Sequence, residues 1–319
     1  MTTDVLALLA KSRIDDLTSH DEVILDGQYQ DAYDTLTDAH NAGLYAGLIG
    51  PVGSGKTALC RKFATDLGKP FDWVTFSDLV RPSNLIGSFD PTLVFKYGFS
   101  PEAFVPGPFT VSALSGGVFL ANELNRGDEY VLNTLLDALE ERKLYIPALR
   151  TWHRVSDDFY LIAAMNPTEN RGTRRLPSAI KDRIKVWVQL GYPSRSIETR
   201  IVESKSREYD LTPGQLELVL ELIHHTRDDP AVEAPASIRS SIGVARLAGE
   251  RAKRLGVKLD NRVIADAARN VLSEAVRLKP GRDLEKYLDS LLHKVLGVGD
   301  PLAKKDGDKK DKKAAGTTP

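Results

Sequence analysis

The sequence predicts an α/β fold: a three-layer domain built on a parallel sheet, followed by a separate all-helical domain. Three observations predict it. Short apolar runs alternate with helical patterns as far as Leu190. A glycine-rich turn, Gly50 to Thr57, joins one such run to one such helix. Beyond Leu190 almost every segment carries helical spacing instead.

The glycine-rich turn is the most specific element. It reads Gly50-Pro51-Val52-Gly53-Ser54-Gly55-Lys56-Thr57, directly after the apolar run Leu44 to Ile49 and before the helical stretch Ala58 to Leu67. Glycines permit backbone angles that turn successive N–H groups toward one concave point, where phosphate oxygens can be held. Lys56 adds a positive charge for the β and γ phosphates, and Thr57 offers a hydroxyl to Mg2+ at a helix N-terminus whose dipole favours an anion.

The remaining strands are expected at Trp73–Phe76, Val118–Ala121, Phe159–Ala164 and Val186–Val188, each short, apolar and suited to a buried parallel sheet. Val131, Leu132, Leu135, Leu136 and Leu139 recur at spacings of three and four, which predicts one helix between the Val118 and Phe159 strands. Arg81 to Pro108, punctuated by proline and glycine and rich in aromatics, reads as an inserted hairpin or loop. A second hairpin is expected at Lys143 to Arg154. In the helical part, Thr212-Pro213-Gly214-Gln215 has a capping-box pattern, and Ile238–Leu255 and Asn261–Leu278 are long patterned helices. The expected organisation is a helical extension at 1–20, an α/β core at 21–192 carrying the 81–108 insert, a helical lid at 193–300, and a disordered lysine-rich tail at 301–319.

Composition narrows the function. Of 319 residues, 42% are apolar and 27% charged, the balance of an ordinary folded protein. Cys60 is the single cysteine, so neither a disulfide framework nor a multi-cysteine zinc site is available, which fits a reducing cytoplasm. No apolar run reaches the length that spans a bilayer, and Met1–Arg13 lacks the pattern of a signal peptide, so a cytoplasmic protein without membrane insertion is expected. The net charge is −1, and the last nineteen residues hold six Lys against three Asp, leaving about −4 on the body. An acidic body argues against nucleic acid as the partner.

Hydrolysing a nucleotide needs more than a phosphate cradle. Val118-Phe119-Leu120-Ala121-Asn122-Glu123 ends in a carboxylate placed to activate water, so Glu123 is the candidate base. Asn122 stands where an aspartate would usually help organise Mg2+; its amide oxygen can accept from a metal-bound water but brings no charge. Asn166, at the end of the strand in Ala164-Met165-Asn166-Pro167, can reach the γ phosphate or the attacking water. Arg183, before the last expected strand, and Arg239, at the start of a lid helix, are further candidates. Adjacent His224 and His225 point to different helix faces and do not form a metal pair, and Cys60 is expected to pack in the core.

Together these residues resemble the AAA+ ATPases, and within them the MoxR family. The most diagnostic stretch is Asn166-Pro167-x-Glu169-x-x-Gly172-Thr173-x-x-Leu176-Pro177-x-Ala179-x-x-Asp182-Arg183. Phe104-x-x-Gly107-Pro108 and Glu123-Leu124-Asn125-Arg126 add to it, and the similarity runs from Asp26-Gly27-Gln28 to the end of the lid.

The resemblance implies a three-layer P-loop AAA+ core with a helical lid, in which Gly50 to Lys56 and Thr57 form Walker A and bind ATP. It implies Thr57 and Asn122 on the Mg2+ side, Glu123 as the Walker B base and Asn166 as sensor 1. It further implies Arg183 as an arginine finger reaching a neighbour's ATP, and Arg239 as the sensor 2 arginine. A finger supplied in trans implies a homo-oligomeric ring, typically a hexamer. Such rings act as chaperone-like remodellers of a client protein, often with a von Willebrand factor A domain partner, and the 81–108 and 143–154 segments would face the pore. Two departures stand out: Asn122 for the Walker B aspartate, and Gly-Pro-Val-Gly-Ser for the commoner Gly-Pro-Pro-Gly-Thr. Two other readings stay open: an ATP-binding, slowly hydrolysing scaffold or switch marked by Asn122, and a nucleic-acid motor similar to the McrB GTPases.

Overall fold

The computed structural model describes residues 23–167 and 174–298. The expected 1–20 extension, the tail at 301–319, and Glu169, Gly172 and Thr173 lie outside the described residues.

Short segments bounded by turns become strands, the most apolar of them in the main sheet. They are β1 Tyr45–Ile49, β2 Phe71–Thr75, β3 Gly87–Phe89, β4 Phe104–Pro106, β5 Val118–Asn122, β6 Lys143–Ile146, β7 Thr151–Arg154, β8 Tyr160–Met165 and β9 Ile184–Gln189. Five of them form one sheet in the order β2-β5-β8-β1-β9, and every pair in it is parallel. Residues 118–121 of β5 and 161–164 of β8 have no exposed surface, as expected where helices cover both faces. Edge strand β2 reads differently: Trp73 and Thr75 are exposed.

Around the sheet lie α1 Gln28–Asn41, α2 Lys56–Asp66, α3 Pro82–Ile86, α4 Pro91–Tyr97, α5 Pro108–Ser115, α6 Glu129–Leu132, α7 Leu136–Glu140 and α8 Ser178–Arg183. The face of α2 that meets the sheet consists of Leu59, Cys60, Phe63 and Ala64. Cys60 is fully buried, as expected, and burial pushes its thiol up to about 12, against the opposing pull of Lys56.

Gly47 shows why one residue of β1 has no side chain. It pairs with Trp187 of β9, and a Cβ there would lie 2.3 Å from the Trp187 ring. The insert holds an antiparallel pair, β3 with β4, and carries α4 between them. The second hairpin pairs β6 with β7, Lys143 opposite Arg154.

Two expectations are corrected. The Val131–Leu139 pattern is not one helix: α6 gives way to a 3-10 turn at Asn133–Leu135 before α7 begins. There the Thr134 hydroxyl donates to the Val131 carbonyl, a local bond that competes with the regular helical ladder. The helix expected over Asn261–Leu278 stops at Ala275, because Val276 turns extended and Arg277–Leu278 pair with another strand.

The chain divides between Gly191 and Tyr192 into two compact units. The second contains α9 Arg195–Lys205, α10 Pro213–Asp228, β10 Val232–Ala234, α11 Ile238–Leu255, α12 Asn261–Ala275, β11 Arg277–Leu278 and α13 Leu284–Leu296. Its apolar core includes Leu222, Ile223, Val244, Ala248, Ala268, Leu272 and Leu292. The capping box at Thr212 and Gln215 forms in full, with Pro213 in the first turn.

Candidate nucleotide site

Parallel pairing brings the carboxyl ends of three strands level. Ile49 of β1 registers with Met165 of β8, and Asn122 of β5 with Ala164. Gly50, Glu123 and Asn166 therefore leave the sheet at one edge, the place where open α/β sheets bind ligands.

At that edge the glycine-rich turn is tied down on both sides. The Gly50 N–H donates to the Met165 carbonyl at 3.1 Å, and a Cβ on Gly50 would strike the Leu190 carbonyl oxygen at 2.1 Å. Gly53 and Gly55 take φ of 78° and 82°, the left-handed region that side chains resist. Tyr29 of α1 donates its hydroxyl to the Ser54 carbonyl at 2.7 Å, with its ring against Gly55. Helix α2 starts at Lys56, so the first-turn amides lie at the end of the turn with no carbonyl ahead of them in the helix.

Lys56 and Asn166 meet here although far apart in sequence. Lys56 Nζ donates to the Gly50 carbonyl at 2.7 Å, the Pro51 carbonyl at 2.9 Å and Asn166 Oδ1 at 3.1 Å. Both side chains are buried, at 7% and 3% exposure. Asn125 Nδ2 in turn donates to the Asn166 carbonyl at 3.0 Å, fixing the backbone that presents the Asn166 amide.

One strand over, Asn122 Nδ2 donates to Thr75 Oγ1 at 3.1 Å. That bond assigns the amide nitrogen to β2 and leaves Oδ1 as the acceptor. Thr57 is the second residue of α2, and its hydroxyl together with the neutral Asn122 acceptor would suit Mg2+ held largely through water and phosphate oxygens.

Glu123 occupies a strained backbone position, with φ 53° and ψ 39°. Its carboxylate folds back to Arg126, with Oε2 2.8 Å from Nε. The Nε–H makes no well-aligned hydrogen bond, so the contact is an ion pair without hydrogen-bond geometry.

Arg183 ends α8. Its guanidinium pairs with Glu140, the last residue of α7, and with Asp182 at 3.2 Å. The Glu140 bond comes first among the causes that hold the guanidinium's proton more tightly than usual. Arg239 is the second residue of α11 in the helical unit and is exposed. His224 and His225 face different carboxylates, Glu198 at 3.0 Å and Glu221 at 3.8 Å.

Sequence reasoning missed the supporting contacts. Tyr29 follows the Asp26-Gly27-Gln28 signature and Asn125 and Arg126 belong to the Glu123 motif, so a signal existed for those three. Thr75 and Glu140 carry none, because their partners are set by sheet order and helix packing.

This geometry suits a nucleoside polyphosphate, with amides and a lysine for phosphate and a carboxylate and an amide at neighbouring strand tips. Known proteins agree. The family profile described as AAA domain (dynein-related subfamily) matches residues 47–184. The chain is 26% identical over 246 residues to the gas vesicle ATPase GvpN of Haloferax mediterranei, covering 72% of this chain and 67% of that protein. It is 31% identical over 173 residues to the chaperone MoxR1 of Mycobacterium tuberculosis, covering 54% and 42%. The chain thus spans about two thirds of the former's length and under half of the latter's. A solved structure of a RuvB variant from Thermotoga maritima shares the fold at a TM-score of 0.53 and 16% identity, over 77% of this chain and 70% of that one. Among the described residues no helix is long and apolar enough to cross a membrane. With the phosphate loop and the strand-tip residues in place, the chain is similar to the AAA domain (dynein-related subfamily) over residues 47–184 and to proteins named MoxR over about half of its length.

Proposed function

We propose that the protein hydrolyses ATP with Mg2+ and uses the cycle to remodel a client protein as a ring of identical subunits in the cytoplasm. The observation that carries the reading is the Lys56–Asn166 contact. It joins the phosphate loop of β1 to the tip of β8, where the γ phosphate of a nucleotide in the loop would lie. Lys56 and the loop amides hold the β and γ phosphates, and Thr57 and Asn122 take the metal side. When bound, Mg2+ neutralises phosphate charge. Glu123 turns from Arg126 to orient and deprotonate water, while Asn166 steadies water or γ phosphate. Arg183 leaves Glu140 for the ATP of the next subunit, and Arg239 meets the nucleotide from the lid. The 81–108 and 143–154 hairpins engage the client, with or without a von Willebrand factor A domain partner. The gas vesicle ATPase and chaperone names of relatives support this direction.

The test is steady-state ATP hydrolysis across protein concentrations beside Glu123→Gln. Turnover per chain that rises cooperatively with concentration, and vanishes in the variant, supports a ring with Glu123 as base. Turnover that survives Glu123→Gln rejects that role.

A second reading follows from the Asn122–Thr75 bond, which fixes a neutral amide where negative charge would draw the metal. In it the chain binds ATP tightly, turns it over slowly and works as a nucleotide-gated scaffold.

A further inference from the structure

The turn after β5 is built as a platform. Glu123 leaves the strand in the left-handed region, and a 3-10 turn at Leu124–Arg126 follows at once. The Arg126 N–H donates to the Glu123 carbonyl at 2.8 Å, and the Gly127 N–H donates to the Leu124 carbonyl at 3.1 Å. Leu124 has no exposed surface. A Cβ on Gly127 would lie 2.8 Å from the Phe76 ring and 2.9 Å from Leu132, so the turn is packed from two sides.

Asn125 sits at the centre of this turn and is 2% exposed. Its Nδ2 donates to the Asn166 carbonyl at 3.0 Å, and its own carbonyl accepts from the Arg174 N–H at 2.8 Å. Oδ1 of the same amide is buried and finds no hydrogen-bond partner among the described residues. A buried acceptor without a partner is costly, and a leucine has the same branched shape with no polar atom to satisfy. What the amide contributes is therefore its bond to Asn166.

That bond makes Asn166 a residue held on two sides. Lys56 Nζ donates to its side-chain oxygen at 3.1 Å, and Asn125 donates to its backbone oxygen. Register places Asn122 beside Ala164, so Glu123 and Asn166 follow one and two residues beyond that pair, and Asn125 bridges the two strand tips. We infer that Asn125 is a positioning residue: it keeps Asn166 in a fixed place relative to Glu123 when Lys56 releases the Asn166 side chain to bind phosphate. This rests on the proposed hydrolysis, with Glu123 as base and Asn166 beside the γ phosphate. The Lys56 bond is lost in that step, whereas the Asn125 bond goes to the backbone and leaves the Asn166 amide free to act.

The experiment measures steady-state ATP hydrolysis with Mg2+, and ATP affinity by displacement of a fluorescent nucleotide, in the full chain. The variants are Asn125→Ala and Asn125→Leu, the second of which keeps the core filled while dropping the donor. Each is made alone and combined with Asn166→Ala, with thermal unfolding followed in parallel. Positioning lowers kcat about tenfold in the parent, shifts ATP affinity by less than about threefold, and costs less than about twofold further when Asn166 is already alanine. Unchanged kcat in both variants, an equal loss in both backgrounds, or a loss of affinity with kcat retained overturns the inference. Should the parent show no turnover, or Asn166→Ala leave kcat unchanged, the proposed chemistry falls and takes the inference with it. If Asn166→Ala lowers kcat while the Asn125 variants do not, only the inference falls. Variants that merely loosen the fold lower the melting temperature and reduce turnover alike in both backgrounds, which counts against positioning.

Discussion

Lys56 Nζ lies 3.1 Å from Asn166 Oδ1, joining two side chains 110 positions apart at the tips of adjacent parallel strands. The contact makes the phosphate loop and the end of β8 one unit, and it predicts different losses for the two residues. Lys56→Ala removes the charge proposed to face phosphate and should weaken ATP binding at least about 100-fold. Asn166→Ala should lower kcat about 10- to 100-fold while shifting ATP affinity only a few-fold. Nucleotide titrations beside steady-state rates check both. A pure affinity loss in Asn166→Ala would remove its role at the γ phosphate.

Asn122→Asp tests the neutral acceptor. The Thr75 hydroxyl can donate to a carboxylate as it now accepts from an amide, so the local geometry should persist. Added negative charge near the metal should lower the Mg2+ concentration for half-maximal activity and raise turnover, each by about tenfold. A magnesium titration at saturating ATP measures both. A fall in turnover would mean that the amide itself serves the reaction.

Arg183 and Glu123 should complement each other between chains. A Glu123→Gln chain keeps the arginine but lacks the base, and an Arg183→Ala chain keeps the base but lacks the arginine. Mixed one to one in a ring, about a quarter of interfaces pair an intact base with an intact arginine. Two inactive preparations should therefore recover activity on mixing, seen in a coupled ATPase assay. No recovery, under conditions where mixed rings form, would place Arg183 in its own subunit's chemistry.

Gly47→Ala should destabilise the α/β unit. A Cβ 2.3 Å from the Trp187 ring forces that indole off β1, at a cost of about 1–3 kcal/mol for overpacking. Thermal or urea unfolding followed by tryptophan fluorescence would read it, and Gly47→Ala with Trp187→Leu should recover much of the loss.

Acid should weaken the helical unit through Glu198. Burial works to raise this carboxyl, but the Arg227 and Ser241 hydrogen bonds, the Arg227 charge and the His224 contact outweigh it and hold it below its ordinary 4.5. A depressed carboxyl stabilises the folded state fully above about pH 4.5 and loses that contribution as pH falls through the folded value. The melting temperature should therefore drop below pH 4.5, and Glu198→Gln should start lower at neutral pH and show a shallower decline. Equal slopes for parent and variant would assign the acid sensitivity to other carboxylates.

Features that depend only on neighbouring residues are readable from the chain alone. Gly50 to Thr57 states its phosphate chemistry because eight consecutive residues contain the turn, the charge and the helix start. Buried strands β5 and β8 are legible because continuous apolar runs suit a sheet covered on both faces. Glu123 and Asn166 are legible as strand-end polar residues, and the Thr212 capping box by its spacing. Tertiary structure alone decided which strand tips are adjacent, and so that Lys56 meets Asn166, that Asn122 bonds Thr75 and that Arg183 rests on Glu140. It also decided the Glu198 cluster, whose members scatter over positions 198, 224, 227 and 241 with no local signal. The Val131–Leu139 and Asn261–Leu278 helices failed for the same reason. Periodicity reports a face to be buried, whereas a threonine hydroxyl or a strand partner arriving from elsewhere decides where the helical ladder stops.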